Sequence, residues 1–152
     1  IIMEQKQIDS IRVLKYTLHS TLKTLLADTG QIPMELMQKA AEFGVDPLTP
    51  QVWQYSGSDG NPETKFQLDI CVPIADAAGD PGKFQIDHLS SFKCLSHLHQ
   101  GAWSNLGQTY QNMMSEMGSL GLQPTFTSRE VYLKCDMENE ANCLTEVQIE
   151  VK

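Results

Sequence analysis

Positive charge is scarce in this chain. Its 152 residues carry 11 Lys and Arg against 19 Asp and Glu, for a formal net charge of −8 and a pI near 4.8. The basic side chains, among them Lys23, Lys39, Lys65, Lys93 and Arg129, are scattered. A nucleic-acid surface needs clustered cations to displace the counterions of the phosphate backbone, so direct nucleic-acid binding is excluded as an expectation. An acidic surface favours cationic small molecules over phosphates, although such a balance is ordinarily explained by solubility. Long apolar runs are missing too. None approaches the roughly 20 residues that cross a bilayer, and "IIMEQKQIDS" (1–10) lacks the basic start and apolar stretch of a secretion signal, which predicts a cytoplasmic protein with no membrane partner. The four cysteines, Cys71, Cys94, Cys135 and Cys143, form no C-x-x-C and each adjoins an apolar, strand-like run, so buried reduced thiols are expected. Nucleophile-elbow, Walker, H-E-x-x-H and dinucleotide signatures are all absent, and no cofactor is implied.

What is present is order. "QIDSIRVLKYTL" (7–18) has the β-branched content of a strand, and "HSTLKTLLAD" (19–28) follows with helical spacing at Leu22, Leu25 and Leu26. "IPMELMQKAAEFG" restarts a helix with Pro33 in its first turn, Met34, Met37 and Ala41 on one stripe, and Gly44 as the terminating residue. The stretch 50–74 reads as strand, turn, strand around Ser58, Asp59, Gly60, Asn61 and Pro62. After a Gly- and Asp-rich loop at 76–83 the sequence of elements recurs: extended chain in "FQIDHLSSFKCLSHLH", a helix through Trp103, Leu106, Tyr110, Met113, Met114 and Met117, then strands in "SREVYLKC" and "CLTEVQIEV". "LHSTLKTL" falls on "LHQGAWSNL", "VWQY" on "EVYL" and "LDICVP" on "VQIEVK" at an offset of about 80 residues. The expected fold is therefore α+β, a single domain over 1–152 made of tandem β-α-β-β units (7–75 and 83–152), with helices on one side and a groove between the halves.

In "TFTSREVYLKCD" (125–136) alternation puts Val131, Leu133 and Cys135 on one face, expected to be core, and Glu130, Tyr132 and Lys134 on the other. Trp53 and Tyr55 share a face of the equivalent strand in the first half. A groove walled by Trp53, Tyr55, Tyr132 and Trp103, with Tyr110 and Met113 from the second helix and Glu130 in its floor, offers an organic cation ring faces and one countercharge. The plain alternative for each aromatic is core filling. Cys94, His97 and His99, with His88, sit close enough in sequence to suggest zinc, yet no further ligand pattern accompanies them. Strand-end histidines satisfied by backbone, and no metal, are the expectation.

These features, taken in order, resemble the GyrI-like, or AraC-type, bacterial effector-binding family. The motif is a strand ending in histidine and glycine with an aromatic two places on, a helix, a glycine turn, a strand with E-x-Y and a last strand with an internal threonine. It is met here by His99, Gly101, Trp103, Gly121, Glu130, Tyr132 and Thr145, while "WQYSG" and "LDICVPI" match in the first half. The resemblance implies a duplicated fold whose groove binds cationic aromatic drugs and dyes through a glutamate, which maps onto Glu130. It implies a relation to transcription regulators, and a chain of this length reads as a stand-alone binding module. Some relatives hydrolyse cyclopropane-bearing electrophiles and others are gyrase inhibitors. The first would use Glu130 to activate water with Tyr55 or Tyr132 as proton donor, and Trp103 at a position where many relatives carry tyrosine counts against it. The second would meet a basic protein patch, and a second copy or separate protein partner stays open. Glu130 is expected to be partly uncompensated when the groove is empty, with a raised pKa.

Overall fold

A computed structural model describes residues 3–75 and 79–152; Asp76, Ala77 and Ala78 of the loop expected at 76–83 lie outside them. The extended chain expected at 7–18 is two strands, β1 (Glu4–Ile8) and β2 (Ile11–Ser20), interrupted at Asp9 and Ser10. The helix expected at 19–28 shrinks to α1 (Leu25–Thr29). Its first half is instead a turn: Thr24 N donates to Thr21 Oγ1 at 3.2 Å, a side-chain alternative to a helical backbone bond, and Ser20 Oγ and Thr24 Oγ1 both donate to Asp28 Oδ2, at 2.8 and 2.7 Å. Next come α2 (Ile32–Glu42), β3 (Val52–Ser56) and β4 (Phe66–Pro73). The second half repeats this order with β5 (Gln85–Leu89), β6 (Phe92–Gln100), α3 (Leu106–Leu120), β7 (Pro124–Lys134) and β8 (Leu144–Val151). Gly121 ends α3 in the left-handed region at φ 69°, where a side chain would be strained.

The fold is α+β and duplicated, but each unit is β-β-α-β-β rather than β-α-β-β. All ladders are antiparallel in the order β1-β6-β8-β7-β3-β4-β2-β5. The halves meet at β3 and β7, where Val52 faces Val131 and Trp53 faces Glu130. They meet again through their first strands, which are exchanged: β1 pairs with β6 of the second half, and β5 with β2 of the first. Ile8 faces Phe92 and, past the breaks at Asp9–Ser10 and Ser90–Ser91, Ile11 faces Leu89 in the same register. Because β1 runs into β2 and β5 into β6, the sheet curls until its two ends are joined through these breaks.

Both long helices cover one face of this sheet. Leu36 and Ala40 of α2 are buried against Leu14, Leu68, Ile70 and Val72, while Met113 and Met117 of α3 are buried against Leu95, Val147 and Ile149. On α2 it is thus Leu36 and Ala40 that meet the sheet; of the stripe Met34, Met37 and Ala41, Met37 packs against this core, whereas Met34 is 55% exposed. Separating the halves' cores on this face is the space above β3 and β7.

The opposite face carries Val13, Val52, Cys71 and Leu89 together with a buried cation. Arg129 is 3% exposed; its Nε donates to Gln54 Oε1 at 2.8 Å, its Nη2 to the Ser90 carbonyl at 2.9 Å, and its guanidinium lies 3.9 Å from the centre of the Phe92 ring. It thereby ties β7 to the break between β5 and β6. Arg129→Met, which keeps the stem and removes the donors, is expected to lower the free energy of unfolding by about 2 kcal/mol in urea denaturation, since two part-buried hydrogen bonds from a charged donor are lost.

Candidate ligand-binding groove

The floor of the space between the helices is the β3–β7 pair. Alternation turns Trp53 and Tyr55 of β3 and Ser128, Glu130 and Tyr132 of β7 to the helix side, and places Gln54, Arg129 and Val131 behind. The turn from β6 into α3 brings the second helix into reach. His99 Nε2 lies 2.9 Å from the Ala102 carbonyl, which can only accept, so this nitrogen carries the hydrogen; in the neutral ring Nδ1 then accepts from Thr109 Oγ1 at 2.7 Å. Gly101, at φ 118°, makes the turn possible. Trp103 follows, its Nε1 donating to Thr145 Oγ1 at 3.2 Å, and two helical turns later Tyr110 points inward to Glu130.

Glu130 is the centre of what results. Tyr132 Oη donates to its Oε1 at 2.7 Å and Tyr55 Oη to the same oxygen at 3.3 Å, while Tyr110 Oη donates to Oε2 at 2.6 Å. The carboxylate is 7% exposed, and none of the ion pairs among the described residues involves it. Three phenols hold it, yet all three are neutral, so its charge is hydrogen-bonded without being cancelled. Burial pushes its pKa above the ordinary carboxylate value, and the tyrosine hydrogen bonds only partly offset this. Burial first, and the Glu130 charge second, hold Tyr55, Tyr110 and Tyr132 well above the usual phenol range, so they remain donors.

The tryptophans frame this cluster. Both indoles make T-shaped contacts with the Tyr132 ring, Trp53 at 5.3 Å and Trp103 at 5.7 Å between centroids. Trp53 is itself oriented by Nε1 donating to Gln51 Oε1 at 2.9 Å, with Gln51 Nε2 donating in turn to the Pro33 carbonyl at 2.7 Å. Above them opens a cavity of about 1340 Å³. Its other walls are largely apolar, and its charged lining residues are Glu130, Asp59 and Lys134.

Six of the seven residues singled out from sequence, namely Glu130, Trp53, Tyr55, Trp103, Tyr110 and Tyr132, line this one cavity. Met113 does not: it is 0% exposed within the core between α3 and the sheet, and its neighbour Met114, 41% exposed, lines the cavity instead. The face of β7 expected to be core is also corrected beyond Val131. A register shift between Tyr132 and Lys134 breaks the alternation, leaving Leu133 41% exposed and Cys135 exposed, both on the cavity. Cys71, Cys94 and Cys143 are buried, and desolvation lifts the Cys71 thiol to about 12 and that of Cys94 to about 11. Leu22, Leu25 and Leu26, whose spacing read as a helix stripe, form cavity wall, and Leu26 is 89% exposed. Gln51 and Phe126 carried no sequence signal; Gln51 lines the cavity from just ahead of β3 and Phe126 from the irregular start of β7.

The profile of the GyrI-like small molecule binding domain matches residues 25–152. No curated protein sequence matches the chain. Among solved structures, the EcmrR C-terminal domain superposes with a TM-score of 0.79 at 16% identity, covering 99% of this chain and 97% of that one. SAV2435 bound to tetraphenylphosphonium gives 0.71 at 16% identity over 100% and 94%. A hydrolase from Listeria innocua gives 0.63 at 14% identity over 99% and 91%. In EcmrR bound to DNA, the matching part is 57% of that chain.

Proposed function

This chain belongs to the GyrI-like small-molecule-binding family, and we propose that its groove takes lipophilic cations bearing aromatic groups, with Glu130 as the countercharge. The observation that carries this reading is a buried carboxylate held by three neutral phenols, without a cation, at the floor of a large apolar cavity. A neutral or anionic guest would leave that charge uncompensated in a desolvated site. A lipophilic cation neutralises it and lays its own apolar surface on the walls. The ring faces of Trp53, Trp103 and Tyr132 add cation–π attraction of roughly 0.5–2 kcal/mol each. That SAV2435 is described with tetraphenylphosphonium bound supports the same class of guest.

The test uses two ions of nearly one shape and opposite charge, tetraphenylphosphonium and tetraphenylborate, titrated against the intact chain. Both tryptophans line the cavity, so their emission reports occupancy. Saturable binding of the cation with none of the borate is expected; equal binding of both, or of neither, removes the role given to Glu130.

The raised pKa of Glu130 adds a pH dependence. The cation binds the ionised form, so its affinity falls as pH drops through the Glu130 pKa, by up to about tenfold per pH unit below it. Binding in that range releases a proton, which calorimetry in buffers of different ionisation enthalpy detects. Folding runs the other way. A carboxyl whose folded pKa lies above its unfolded one is a destabilising charge above both values, and the ligand-free protein recovers that stability on acidification between them. A pH-independent affinity would mean that Glu130 is not the group engaged.

A second reading, hydrolysis of a strained electrophile, is favoured by the 2.6 Å contact between Tyr110 Oη and Glu130 Oε2. Glu130 would activate water and a tyrosine would protonate the leaving atom. Turnover of such an electrophile that disappears in Glu130→Gln would establish it.

A further inference from the structure

The start of β7 holds the one non-glycine residue with positive φ among those described, Phe126 at 68°. A bulky residue in the left-handed region is a genuine outlier, and such strain persists only where neighbouring contacts over-determine the backbone. They do so here. Pro124 faces Val151 and Ser128 faces Ile149, so Thr125, Phe126 and Thr127 bulge opposite Glu150 alone. The bulge is pinned on both flanks: Thr125 Oγ1 donates to Glu150 Oε1 at 2.6 Å on the β8 side, and Gly57 N donates to the Phe126 carbonyl at 2.9 Å on the β3 side.

The strain does not serve to bury the ring. Phe126 remains 56% exposed and stands on the wall of the cavity. Folding therefore holds a large aromatic side chain out at the mouth of the groove in a conformation that glycine or asparagine would adopt with less strain, and it recovers little burial in return. We propose that Phe126 is a specificity-determining residue of the groove, an aromatic rim that closes on the ring system of a bound cation and selects multi-ring guests over compact aliphatic ones. The bulge fixes the backbone that carries this ring, so the guest has only the side-chain torsions of Phe126 to order on binding.

This inference rests on the groove being the binding site, and its test separates the two. Phe126→Gly removes the ring and relaxes the backbone, and Phe126→Asn removes the ring while also tolerating the left-handed conformation. Each is titrated with tetraphenylphosphonium and with tetraethylammonium, using tryptophan emission and calorimetry, with thermal melts alongside. Both variants are expected to melt at or above the temperature of the unaltered chain. Both should lose about tenfold in affinity for the four-ring cation and keep their affinity for the aliphatic one within about twofold. Full retention of tetraphenylphosphonium affinity, or equal loss for both cations, overturns the role of Phe126 alone. Absence of tetraphenylphosphonium binding by the unaltered chain overturns the groove reading and the rim with it.

Discussion

Glu130→Gln is expected to lower the affinity for tetraphenylphosphonium by about a hundredfold, because removing one partner of a desolvated charge pair typically costs 2–5 kcal/mol of binding. The substitution is nearly isosteric, so the aromatic walls stay in place and the residual binding measures what they supply without the charge. Its effect on stability follows from the three phenols. The amide oxygen can still accept from two of them, whereas the amide nitrogen must face a third hydroxyl that turns to become an acceptor. At neutral pH this loss is offset by relief of the buried charge, so the change in unfolding free energy is expected to stay within about 1 kcal/mol. Calorimetric titration together with circular dichroism checks both parts. A folded variant with undiminished affinity would remove Glu130 from the site, and an unfolded one would make its role structural.

Met113→Ala is expected to cost about 2–5 kcal/mol of stability, the range for emptying a methionine-sized volume in a close-packed core. Met113 is fully buried among Leu95, Leu106, Met117, Val147 and Ile149, and none of these can collapse into the space without moving α3 or the sheet. Met114→Ala provides the mirror result: at 41% exposure on the cavity wall it should change stability by less than about 1 kcal/mol and weaken binding of a lipophilic cation a few-fold. Urea denaturation and titration of the two variants side by side decide the matter. A reversed pattern would mean that α3 is rotated by one residue relative to the sheet.

That pair of residues also marks how far the letters can be read. The periodicity of 103–117 identified an amphipathic helix, and two stripes on it are visible in hindsight: Leu106, Thr109, Met113 and Met117 are buried against the sheet, while Trp103, Gly107, Tyr110 and Met114 border the cavity. Both stripes are apolar, so spacing alone could not say which one meets protein and which meets a ligand. The same ambiguity turned Leu22, Leu25 and Leu26 from an expected helix stripe into cavity wall. In β7, alternation held from Ser128 to Tyr132 and failed at both bulges, where pairing geometry rather than composition sets the direction of a side chain.

The sequence by itself determined the duplication, the α+β class, and the shared face of Trp53, Tyr55, Glu130 and Tyr132, because strand alternation and the order of elements are local properties that survive in the letters. Only the tertiary structure decided that three phenols hold Glu130. Its partners lie on three elements, Tyr55 being 75 residues away and Tyr110 20. It likewise decided the exchange of β1 and β5 between the halves and the strained backbone of Phe126. Each of these is set by where distant segments pack against one another, and packing between distant segments leaves no period in the sequence to be read.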